Sequence, residues 1–170
     1  MTNKCRKAFE KGKAKRALYP LEPSTYKLLE AYRNWQRQYD ALNVIEDALE
    51  NRIPIPADYQ LGGWTGAEWR GELERLPEDI ASDMGRRVLP GVLALCEYAG
   101  ATPESAKLAA GAEKHASNII EDCENNRPLI ARPTKQRDAT IKRVCRARTL
   151  IISVLMTVED SFAAVDVPIS

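Results

Sequence analysis

The side chains able to do acid–base, nucleophilic or metal chemistry are few in this chain, and they are scattered. His115 is the single histidine, and the four cysteines, Cys5, Cys96, Cys123 and Cys145, stand far apart. On one helix His115 and Cys123 would be about 12 Å apart at ~1.5 Å rise per residue, too far for a nucleophile and its base. No cysteine lies two to four residues from another or from the histidine, the spacing that zinc sites use. Cysteines so placed, three of them on apolar helical faces, read as reduced thiols that pack as small hydrophobes.

The carboxylates Glu46, Asp47, Glu50, Glu121 and Asp122 could meet across two helices. They lack the Glu and His pair, three residues apart, of di-iron bundles. Gly62, Gly63 and Gly66 cluster like a phosphate-cradling loop, yet no lysine followed by serine or threonine completes that pattern. The sequence therefore predicts no catalytic residue, metal or cofactor, and a chain that is not an enzyme.

What remains is the chemistry of contact. Tyr59, Trp64 and Trp69 bracket the glycines of an irregular stretch, and large aromatics on such a loop either cap a core or anchor a partner. Glu68, Glu72 and Glu74 follow directly. The partner-binding expectation is that Trp64 is an anchor, ringed by Tyr59 and Trp69, with the three glutamates steering a basic face of the partner. The competing expectation is that Trp64 caps the bundle.

A second set of candidates is cationic. Lys4, Arg6, Lys7, Lys11, Lys13, Lys15 and Arg16 form a basic arm, and Lys142, Arg143 and Arg146 lie on the basic half of the last helix; together they could track a phosphate backbone. The net charge of +1 hides this segregation. Residues 1–22 carry seven basic and two acidic groups, 67–126 carry six and twelve, and 127–170 carry eight and four. Either the basic ends fold against the acidic middle, or one pole stays open for a partner.

These candidates must be positioned by helices, because apolar residues recur at spacings of three and four and no stretch alternates as a strand does. Leu28, Tyr32, Trp35, Tyr39, Leu42, Ile45 and Leu49 make one stripe, on a helix from about Pro23 to Asn51. A matching seam, Ile141, Val144, Arg148, Ile151, Leu155, Val158 and Phe162, lies on a final helix from about Thr134 to Val165. Arg148, alone and charged on that seam, needs a carboxylate partner at the edge of the core.

Between them the pattern predicts a short acidic helix over 67–76, another starting at Pro77 and breaking near Leu89, and an alanine-rich helix from Pro103 to about Glu124. The slender face of that last one, Ala106, Ala109, Ala112 and Ala116, would let a neighbour approach closely. Pro128 and Pro133 then break the chain. Val44–Asp47 echoes Ile119–Asp122 near helix ends, where acids oppose the helix dipole and call for basic partners such as Arg52, Arg127, Arg132 or Lys135.

The fold expected is therefore all-α: a single-domain bundle of five or six helices over 21–170, its long first and last helices packed together, preceded by a basic arm over 1–20. No apolar run reaches the ~20 residues that a bilayer requires, and the N-terminus lacks a secretory signal, so a cytoplasmic protein with no membrane association is expected. Its expected function is that of a non-enzymatic binding protein, a small regulator or inhibitor docking on a larger protein or nucleoprotein complex. Phage and mobile-element accessory proteins offer an analogy. Nucleic-acid binding is the alternative, and a homo-oligomeric structural bundle the third reading.

Overall fold

In the computed structural model, residues 23–100, 102–132 and 134–165 are described. They form five α-helices: α1 Pro23–Glu50, α2 Trp69–Asp83, α3 Leu89–Ala99, α4 Pro103–Ala131 and α5 Arg137–Ala164. A π-helical turn, Met84–Val88, joins α2 to α3 without interruption, so the helices make four rods. The fold is all-α, and its long first and last helices pack against each other more extensively than any other pair.

Contacts along the rods give their directions. Tyr32 meets Glu159 and Glu46 meets Arg148, so α1 and α5 are antiparallel. Trp35 meets Asp83 while Leu28 faces Gly91, Arg127 meets Glu78 while Ala112 and Val88 line one cleft, and Ile130 meets Arg143 while His115 meets Thr157, so the other neighbouring pairs are antiparallel as well. The result is an up-down-up-down bundle. The 51–68 loop and the α4–α5 connection lie at one end of it, and the α3–α4 connection at the other.

Local sequence explains most helix boundaries. Pro103 sits at the first turn of α4, and Thr102 and Ser105 cap each other reciprocally there, sparing helix-start donors. Gly100, with φ of +77°, ends α3 in the left-handed region open to glycine. At the end of α1 the same role falls to Arg52, with φ of +57°, while the Ile53 N–H donates to the Ala48 carbonyl at 2.8 Å.

The prolines behave differently from expectation. Neither Pro77 nor Pro128 starts or stops a helix: α2 runs through the first and α4 through the second, to Ala131. Each removes one backbone donor, but the Pro77 ring is buried in the core and Pro128 falls in the last turn of α4, where little helix remains to disrupt. Pro90 does perturb its helix. The π-helical turn stands just ahead of it, with the Leu89 N–H reaching back to the Met84 carbonyl.

The core runs the length of the bundle. Leu28, Trp35, Leu42 and Ile45 of α1 are buried, with Tyr39 and Leu49 partly so, as their spacing predicts. On α5 the centre of the buried arc is Val144, Ala147, Ile151, Val154 and Val158; Ile141, Arg148 and Leu155 flank it, half-buried. Gly91 lets α3 press onto α1, since a Cβ there would stand 2.5 Å from Leu28 Cβ and 2.9 Å from the Ser24 carbonyl oxygen. The Ile151→Ala variant is expected to lose about 2–5 kcal/mol, because the side chain is wholly buried. Met156→Ala, one turn along and exposed, should stay within about 0.5 kcal/mol. Urea unfolding of both checks the phase of α5.

Candidate functional site

The 51–68 loop is folded back, and its glycines show how. Gly62 has φ of +97°, and a Cβ there would lie 2.8 Å from the Arg37 carbonyl of α1. At Gly66 a Cβ would lie only 1.8 Å from the Pro56 carbonyl oxygen, so the loop closes on itself backbone to backbone. The Leu61 N–H donates to the Trp64 carbonyl at 2.7 Å and the Gly66 N–H to the Tyr59 carbonyl at 2.9 Å. This tight reversal drives Leu61 and Trp64 inward.

Trp64 is 4 % exposed and Trp69 is likewise buried, so neither side chain is presented to a partner in this fold; of the expected anchors only Tyr59, 51 % exposed, stands at the surface. The three glutamates are engaged locally. Glu68 Oε1 accepts from the Thr65 N–H at 3.2 Å and from Thr65 Oγ at 2.6 Å, tying the end of the loop to the residue ahead of α2. Glu72 pairs with Arg75, and Glu74 lies 3.9 Å from Arg143. Arg70 stacks on Trp69 at 4.2 Å from the ring centre.

The cationic candidates divide. Lys4, Arg6, Lys7, Lys11, Lys13, Lys15 and Arg16 lie outside the described residues. Lys142 and Arg146 are exposed, and Arg146 reaches towards Asn126 of α4. Arg143 is not a surface residue: it is 7 % exposed, and its Nε donates to the Ile130 carbonyl at 2.6 Å. Burial pulls its guanidinium below its ordinary value, Glu74 opposing that shift and Arg70 adding to it. It satisfies the end of α4 and cannot meet a phosphate without leaving the core.

Arg148 behaves as its place on the seam demands. It is half-buried and pairs with Glu46 of α1 while donating to Asn43 Oδ1 at 3.0 Å. Burial alone would lower its proton affinity, but the hydrogen bond and charge of Glu46 overcome this and raise it. The acid near the end of α1 thus finds its compensation on α5, not on Arg52, Arg127, Arg132 or Lys135. With Arg127–Glu78 and Arg143–Glu74, these pairs show the basic C-terminal quarter folding against the acidic middle.

Two polar links, one buried and one part-buried, give no sequence signal, because their partners are far apart in the chain. Trp35 Nε1 donates to Asp83 Oδ2 at 2.7 Å, and Arg87 Nη2 donates to the same oxygen at 3.0 Å. The Tyr32 hydroxyl donates to Glu159, and burial together with that carboxylate pushes Tyr32 up to about 12. Below pH 10 the phenol is neutral whether folded or unfolded, so the full contribution is present. Between pH 10 and about 12 only the unfolded chain ionises, so stability falls, by at most about 3 kcal/mol. Tyr32→Phe should flatten that part of a pH series of urea unfolding curves.

The three cysteines among the described residues are free. Burial pushes the Cys96 and Cys123 thiols up, Cys123 to about 12 with Asp122 and Glu124 adding to the effect, and burial with Glu46 raises Cys145; none is poised as a nucleophile. Among the described residues no group of three His, Cys, Asp or Glu side chains could hold a metal ion, and no helix is long and apolar enough to cross a membrane.

Two surface features remain. At the loop end of the bundle Ile53, Tyr59 and Leu129 are 60 %, 51 % and 49 % exposed, accompanied by the exposed cations Arg52, Arg132 and Lys135. Towards the other end a cleft of about 600 Å³ opens among the π-helical turn, α3, the first half of α4 and the last turns of α5. The alanine face of α4 partly borders this cleft: Ala112 and Ala116 line it, Ala106 is exposed, and the close approach expected of that face occurs instead at Gly91. The chain matches no protein-family model, no curated protein and no solved structure, so its own geometry is what bears on its function.

Proposed function

We propose that the chain is a non-enzymatic binding protein, a small regulator or inhibitor that docks on a larger protein through the loop end of its bundle. The observation that carries this reading is that Ile53, Tyr59 and Leu129, each about half exposed or more, lie at one end of the four-rod frame. Exposed apolar side chains scattered singly are ordinary, whereas several at one end, among charged residues of both signs, have the anatomy of an interface. Tyr59 replaces Trp64 as the aromatic anchor, and the buried Trp64 fixes the loop that carries it. The same end carries the exposed cations Arg52, Arg132 and Lys135 and the exposed acids Glu50, Asp58 and Glu68, a mixed polar border that suits a partner with an apolar pocket and both signs of charge around it.

Affinity capture of the full chain from host lysate, with and without nuclease, tests this. The reading expects a discrete protein that survives nuclease and is lost with Tyr59→Asp. Capture abolished by nuclease, and dependent on Lys142 and Arg146, would replace it with nucleic-acid binding, for which a log–log salt slope near −4 to −5 corresponds to about five phosphate contacts.

A further inference from the structure

The cleft near the far end of the bundle lies away from the docking face, and its walls and mouth differ in chemistry. One wall is aliphatic: Met84 and Val88 of the π-helical turn, with Leu89 and Val92 of α3. Facing it, Leu108, Ala112 and Ala116 of α4 leave room instead of filling it. Close-packed interiors leave few voids, and a cleft of about 600 Å³ falls within the size range of small-molecule sites. Small side chains keep it open, and at Gly111, on its border, an added Cβ would meet nothing within 4 Å. Among the described residues no Phe, Tyr or Trp lines the cleft, and its one ring, the imidazole of His115, stands at the mouth.

The mouth is polar, and its hydrogen bonds fix which groups remain free. Thr157 Oγ donates to the Ser153 carbonyl at 2.7 Å, so it accepts the 2.7 Å hydrogen bond from His115 Nε2, and His115 Nδ1 is left without a partner among the described residues. Ser161 Oγ donates to the Thr157 carbonyl at 2.6 Å. Among the described residues the groups left without a partner are therefore His115 Nδ1, the carboxylates of Glu104 and Asp160, and the Lys107 ammonium. Lys107 stands one turn along α4 from Glu104 and offsets it. Asp160, exposed on α5, makes no ion pair among the described residues. The mouth is thus rich in acceptors and carries a net negative charge over an aliphatic interior.

We propose that this cleft binds a small aliphatic molecule bearing a protonated amine, its chain between Val88 and Ala112 and its ammonium at Asp160. The site is independent of the docking face, so either assignment can fail alone.

Titration of the full chain with decylamine, decanol and decanoate, each kept below its micelle concentration and followed by calorimetry and amide chemical shifts, tests it. Saturable one-to-one binding of decylamine is expected, at least tenfold tighter than decanoate, with shifts centred on Val88, Ala112 and Ala116. Asp160→Asn should weaken the amine several-fold and leave decanol unchanged. Gly111→Leu fills the cleft from α4, where a leucine also favours helix, so binding should vanish while the melting temperature holds or rises. Ala164→Leu, filling it from α5, serves should the first variant misfold. Non-saturating uptake, tighter binding of decanoate, or decylamine binding that survives a folded plug variant would overturn the proposal.

Discussion

Trp35→Ala is expected to lower the free energy of unfolding by about 3–5 kcal/mol, among the largest losses any single substitution in this chain should produce. The indole is almost wholly buried between α1 and the junction of α2 with the π-helical turn, and its Nε1 donates to the buried Asp83 carboxylate. Truncation opens a cavity and strips Asp83 of a donor, leaving that carboxylate to Arg87 alone. Trp35→Phe separates the two effects. It keeps most of the ring volume and loses the hydrogen bond, so about 1–3 kcal/mol should go. Urea unfolding with fluorescence from the remaining tryptophans measures both, and a Phe variant as damaged as the Ala variant would assign the loss to the hydrogen bond.

Trp64→Ala should be similarly costly, at about 3–5 kcal/mol, despite its place among glycines and prolines in a segment without regular secondary structure. Trp64 belongs to the same core cluster as Trp35 and Trp69, and the loop bearing it is pinned to α1 at Gly62 and closed on itself at Gly66. Its loss should unpin the loop while the helices persist, lowering the melting temperature and increasing amide exchange across residues 57–68. An unchanged melting temperature would mean that the indole spends its time outside the core and would restore it as an anchor.

Helical periodicity made the frame legible. The stripe on α1 and the seam on α5 identify the two longest packed helices, because large aliphatic and aromatic residues mark a buried face clearly. The phase of α5 was less legible. Its buried arc serves both α1 and α4, and Ala147 and Ser161 at its centre carry no hydrophobic signal. Arg143 was misread for the same reason, since a charged residue one position off a seam looks solvated until the Ile130 carbonyl is brought beside it. Pro77 looked like a helix start because local sequence shows the lost donor but not the core that buries the ring. The loop aromatics could be named as significant, but not oriented, because Gly62 and Gly66 permit a fold-back that only tertiary contact selects. The cleft was hidden by an ambiguity of small residues: an alanine and glycine face suits a close helix neighbour as well as an open space, and Gly91 and Gly111 show one outcome each.

A separation between the side chains that hold the fold and those that meet the partner is the centre of this account, and both kinds lie at the same end of the bundle. The most direct test measures melting temperature and partner capture together on the Ile53→Asp, Tyr59→Asp double variant. Both residues are more than half exposed, so the melting temperature should move by no more than a few degrees, the scale of a change below about 1 kcal/mol. Capture of the nuclease-resistant partner should be lost. Capture retained at the level of the unmodified chain would contradict the account, whatever the melting temperature showed.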